Sequence, residues 1–230
     1  MADVRRARRV ASAGFTLIEL MVVVVMISII ALIATPAMRI AREDRLAFDF
    51  ARRTEQMIHR GRSRAAGRGA AHLMIAAQSG SPSRGKFLLF EALDGTAAPA
   101  GPNPVSSCKA TGEWAEAATF APGTIGNNAR IVDGFDNALA ATSSDIRAVM
   151  SVGGVATGAI AICVAPGGLT FVGQDSGGSV AAAIADMQSK TTPFNSFMDI
   201  TFSRYRAGAV TGLQRHVLFA GSAAPRIKSE

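Results

Sequence analysis

One carboxylate, Glu19, stands inside a 21-residue stretch, 15–35, that holds no other charge. A charged side chain at the middle of a membrane helix costs on the order of 3 kcal/mol on insertion scales, which makes such a residue a functional candidate by default. Gly14 lies at the border between a basic leader and this apolar run. Glycine there offers a protease an extended, unhindered backbone. A cut after Gly14 would create a new amine on Phe15. That amine and the Glu19 carboxylate of a neighbouring chain are two charges that hydrocarbon disfavours singly and tolerates as a pair. The simpler reading, in which Glu19 merely reaches the membrane interface, leaves the position of Gly14 unexplained.

The element that must position these groups is a helix. Residues 15–35 would span about 31 Å as an α-helix, which matches the hydrocarbon core of a bilayer. Arg5, Arg6, Arg8 and Arg9 against Asp3 give the first 14 residues a net +3 of the total +7. This cluster orients the N-terminus to the cytoplasm. A secretory signal is disfavoured, because the run is longer than an h-region, no small-x-small cleavage site follows it, and a glutamate sits near its start. The remaining +4 is a modest balance that does not by itself call for nucleic acid. With 49% hydrophobic residues the chain is not disordered throughout. Cys108 and Cys163 have no metal-ligand spacing. Two thiols far apart in a chain that enters a membrane suggest one Cys108–Cys163 disulfide in an oxidising compartment, with two buried free thiols as the alternative.

Gly14-Phe15-Thr16-Leu17-Ile18-Glu19-Leu20, with its basic leader and long apolar tail, resembles the class III signal of type IV prepilins and pseudopilins. The resemblance covers roughly residues 5–40. It implies that a prepilin peptidase cuts after Gly14 and N-methylates Phe15, that Glu19 is the fifth mature residue and serves assembly, and that Pro36 marks a helix kink. It also implies a single-pass bacterial inner-membrane subunit with a periplasmic head, whose partners are the peptidase and other pilin or pseudopilin subunits in a filament. No cofactor is implied.

Beyond Pro36 the helical period persists. Leu46/Ala47, Phe50/Ala51, Thr54 and Met57/Ile58 form one stripe, while Arg42, Arg45, Arg52, Arg53 and Glu55 fall on other faces. One helix is expected over 15–66, stopping at Gly67-Arg68-Gly69. Short strands are expected at 72–77, 86–92, 146–152, 159–164, 169–172, 197–203 and 213–219, with Met198, Ile200 and Phe202 facing inward. Residues 94–105 and 175–192 read as long surface loops. The expected organisation is a leader 1–14, a membrane or filament-core helix 15–36, an exposed half-helix 37–69 and a β-rich head 70–230. This order is similar to that of the H-type minor pseudopilins of type II secretion and their minor-pilin relatives. Those relatives often end on a Gly-Arg-x-Arg-like strand. Here 221–228 reads Gly-Ser-Ala-Ala-Pro-Arg-Ile-Lys, which gives no support for a terminal strand.

Catalytic chemistry finds little footing. His59, His72 and His216 show no ligand pairing, so no metal site is expected. The glycine-rich pieces lack a P-loop ending, and Gln174-Asp-Ser-Gly-Gly reads as a loop and not as a protease motif. An enzyme is not expected. Arg60, Arg62, Arg64 and Arg68 form a basic run that reads first as a solvated helix face and second as an anion-binding surface for DNA or acidic neighbours. Trp114 and Tyr205 are the single residues of their kinds, so stacking aromatics do not accompany the arginines. The sequence therefore points to an α+β pilin-like fold, a long N-terminal transmembrane helix packed on an antiparallel β-sheet head. Its expected function is that of a structural, minor filament subunit, with a DNA-binding uptake pilin as the alternative.

Overall fold

The computed structural model describes residues 15–78, 85–94, 103–109, 114, 117, 129–136, 146–206, 209–221 and 223–230. A single helix, α1, runs Leu17–Arg68 and contains Pro36. The chain divides into two compact units between Arg42 and Glu43. Helix residues 43–68 fall in the second unit with the strands.

Eleven described strands build the head. They are β1 (His72–Ala77), β2 (Lys86–Asp94), β3 (Asn103–Pro104), β4 (Ala129–Asp136), β5 (Ile146–Val152), β6 (Val155–Thr157), β7 (Ala159–Val164), β8 (Thr170–Asp175), β9 (Phe197–Arg206), β10 (Ala209–Ala220) and β11 (Arg226–Ser229). One sheet has the order β3-β2-β1-β7-β8, with β4 also paired to β2; the other has the order β11-β10-β9-β5-β6. The described pairings are antiparallel. A long apolar N-terminal helix followed by antiparallel sheets is an α+β, pilin-like arrangement.

Two cores follow from side-chain alternation. In the first, Ala47, Phe50, Ala51, Met57 and Ile58 of α1 pack among inward residues of both sheets, including Phe87, Phe202 and Phe219. The stripe extends to Gly61 and Ala65, both buried. The second core lies on the other face of the first sheet. There Leu73, Ile75, Phe90 and Cys163 meet Cys108, Trp114 and a second helix, α2 (Val180–Ser189). Every residue of β1 is buried because both its faces are covered, and so it reads as an uninterrupted apolar run and not as an alternation.

Several expectations are corrected. Part of 175–192 is α2 and not a loop. Ser179 caps it through Ala182 N, and Val180, Ala183, Ile184 and Met187 recur at the spacing of a buried helical face. Gly173 lets α2 sit directly on β8, since a Cβ there would lie 2.1 Å from the Ala183 carbonyl oxygen. The residues 103–104, expected in a loop, form β3, and 95–102 lie outside the described residues. The strand β4 was not anticipated because Asp133-Gly134 has turn chemistry. Here Gly134 pairs with Leu88, and the register shifts between Leu89 and Phe90. The terminal segment does form a strand, with Ile227 opposite Val217 and packed against the first core.

Glu91 is the one fully buried carboxylate among the described residues, with none of its side chain exposed, and it accepts from Arg68 Nε and Arg130 Nη2. Burial pushes its carboxyl up, and the bonds from Arg130 and Arg68 outweigh burial, holding it below the usual range. His72, paired with Glu91 across β1 and β2, is held low by burial and stays neutral, although the Ala70 carbonyl and Glu91 oppose this. Both shifts act in one direction. An unfolded chain takes up protons that these folded groups refuse, so stability falls as pH drops below about 6.5 for His72 and below about 4.5 for Glu91. Unfolding of the detergent-solubilised chain in urea should show this acid loss. Glu91→Gln should lower stability at neutral pH by about 1–3 kcal/mol and flatten the limb below pH ~4.5.

Candidate functional site

The first unit is an apolar surface, uncovered among the described residues. From Phe15 to Met38 every large hydrophobic side chain is exposed, and the helix is long and apolar enough to cross a membrane. Its hydroxyls are already spent inside the helix: Ser28 Oγ donates to Val24 O at 2.8 Å and Thr35 Oγ1 to Ala31 O at 2.7 Å. In hydrocarbon such internal partners are required, because no water replaces them.

Glu19 closes the N-terminus of this helix. Thr16 N and Thr16 Oγ1 both donate to Glu19 Oε2, at 3.2 and 3.1 Å, and Glu19 N donates to Thr16 Oγ1 at 3.2 Å. This reciprocal pattern is a capping box, with Thr16 at the N-cap and Glu19 three residues on. The carboxylate thereby meets free N–H groups at the positive end of the helix dipole. The Thr-x-x-Glu spacing was legible in the sequence, yet Thr16 was not singled out there. Gly14 and the leader 1–14 lie outside the described residues.

The four arginines proposed as an anion surface are not gathered into one. Arg60 pairs with Asp133, and Arg68 pairs with Glu91. Arg62 lies over the Phe219 ring at 4.7 Å and donates to the carbonyls of Gly221 and Ala223, so it fastens the turn after β10. Arg64 Nε is buried without a hydrogen-bond partner among the described residues. His216 Nδ1 lies 2.8 Å from Asp199 Oδ2, while His59 and His72 sit elsewhere on α1 and β1. No group of three or more His, Cys, Asp or Glu able to hold a metal occurs among the described residues.

Cys108 and Cys163 are joined by a disulfide, with Cα atoms 5.8 Å apart. It ties the 103–109 segment to β7, the strand beside β1, and both cysteines are buried in the second core. Trp114 Nε1 donates to the Cys108 carbonyl at 3.3 Å, which fixes a large ring over the same face.

Compared with known proteins, the chain matches the prokaryotic N-terminal methylation motif over residues 9–35. No curated protein and no solved structure matches it. The chain therefore carries a class III signal directly ahead of a long apolar helix.

The cross-link closes a separation of 55 residues, which corresponds to about 4 kcal/mol in the chain-entropy model. Alkylation of the denatured protein should label neither thiol before reduction and both after it. Labelling of both thiols without reduction would contradict the cross-link.

Proposed function

We propose that this chain is a structural, minor subunit of a bacterial type IV-like filament, either the pseudopilus of a type II secretion system or a type IV pilus. It is inserted once in the inner membrane with its N-terminus cytoplasmic and its head periplasmic. A prepilin peptidase cuts after Gly14 and methylates Phe15. The mature subunit then joins other pilin or pseudopilin subunits through the helix 15–36, with a kink at Pro36.

The observation that carries this reading is the methylation motif at 9–35 running into an apolar helix that is unburied among the described residues. Lipid covers that surface before assembly, and neighbouring helices cover it afterwards. Glu19 supports the same course. In the single chain its carboxylate is satisfied by Thr16. Once the leader is removed, the Phe15 amine of a neighbour supplies a stronger, charged partner.

The DNA-uptake alternative draws less support. Arg60, Arg62 and Arg68 are committed within the head, and such guanidiniums neutralise phosphates only after giving up those partners.

Mass spectrometry of the protein from cells should find Phe15, methylated, at the mature N-terminus. Gly14→Glu should leave a precursor about fourteen residues longer in the membrane. A mature N-terminus beyond Ala34 would contradict the reading.

A further inference from the structure

A small cavity of about 10 Å³ lies between α1 and the first sheet. Met57 and Gly61 line it from the helix, His72 and Met74 from β1, Leu89 from β2 and Ile162 from β7. That volume suits one atom-sized occupant. His72 and Met74 stand two apart on β1 and so share one of its faces. Met57, His72 and Met74 are each 3% exposed or less. Gly61 keeps the space open, since a Cβ there would lie 3.2 Å from Leu89 Cδ1 and 3.9 Å from His72 Cβ. The three residues belong to the 43–230 unit.

The His72 ring is fixed in one tautomer. Its Nδ1 lies 3.1 Å from the Ala70 carbonyl oxygen, which can only accept, so Nδ1 carries the proton. In the neutral ring Nε2 then has a bare lone pair, and this atom is buried with no hydrogen-bond partner among the described residues. A water molecule fits the site poorly. It needs about two to four polar partners, whereas the other side chains lining the cavity are thioethers and aliphatic groups. A soft metal ion fits, because it accepts imidazole nitrogen and thioether sulfur together. Backbone anchoring of the other ring nitrogen is also the usual support of a metal-binding histidine. The surrounding charges bear on which ion. Arg64 and Arg68 disfavour a cation beside the ring and Glu91 favours one, a balance that penalises a divalent ion more than a monovalent one.

We propose that Met57, His72 and Met74 bind one soft monovalent metal ion, with copper(I) as the biological candidate, through Nε2 and the two thioether sulfurs. The ion bridges α1 to β1 and braces the helix against the sheet. Thioethers drawn from a helix and a strand have no ligand spacing in sequence, so His72 alone gave no sign of the site.

The test is calorimetric titration of the full-length, detergent-solubilised chain with silver(I), a soft monovalent ion that needs no reductant and leaves the disulfide closed. Silver should fill one site per chain that zinc(II) does not occupy, and it should raise the urea midpoint. Met57→Leu and Met74→Leu conserve volume and keep the core packed. Each should weaken that site by at least the roughly tenfold that even outer-shell partners are worth, and the double variant should remove it. Silver held by the exposed methionines of the span would be common to all variants and cancels in the comparison. X-ray absorption of the copper(I) form should show one nitrogen and two sulfur neighbours. Equal silver binding by the wild type and the double variant would overturn the proposal. So would an unchanged urea midpoint with silver bound, or zinc(II) competing for the same site at equal strength.

Discussion

The structure depends on one imbalance: the first half of α1 presents apolar surface on all sides, and none of it is covered among the described residues. In water such a surface would drive aggregation, so its solvent must be lipid or another protein. The helix meets the demands of a membrane in detail, with its hydroxyls bonded to carbonyls four residues back and its one carboxylate folded onto its own N-terminus. The same continuous helix then changes role. From Ala47 to Ala65 only one stripe is buried, and that stripe is a wall of the head's first core.

Given that wall, the head is built outward in layers. The first sheet is sandwiched between the two cores, which forces β1 and β7 to be apolar on both faces. The second core has a thin cover, made of α2 and the segment fastened by the Cys108–Cys163 bond, with Trp114 as its largest side chain. Charges near the top of α1 serve this packing. Arg68 and Arg130 neutralise Glu91, Arg60 meets Asp133, and Arg62 secures the turn toward β11. Within the basic run, Arg60, Arg62 and Arg68 each hold a partner inside the head.

Much of the fold was legible in the residues. The helical stripe from Leu46 to Ile58 and the strands at 72–77, 146–152 and 159–164 lie where period and β-branched content put them. The missed elements share a physical reason, in that local chemistry pointed one way and tertiary contacts the other. Asp133-Gly134 favours a turn, and pairing with β2 holds it in a strand. The glycines at 177 and 178 suggested a loop and hid the cap at Ser179 and the Val180–Met187 face behind it. Arg226-Ile227-Lys228 has too little apolar content to announce a strand, and forms one because β10 offers an edge. At the candidate site, Glu19 stood out because a charge in an apolar run is rare. Thr16 did not, since a threonine there is chemically unremarked until its hydroxyl is seen to bond Glu19.

The central claim is that the uncovered helix is an assembly surface and that Glu19 is the group that makes it selective for neighbouring subunits. Measuring how Glu19→Val distributes between membrane and sheared filaments tests this most directly. The substitution makes the span more apolar, so insertion and processing should persist. The account predicts that the variant accumulates in the membrane and is lost from filaments, because a neighbour's Phe15 amine has no carboxylate to meet. Filaments containing Glu19→Val at the wild-type level would contradict it.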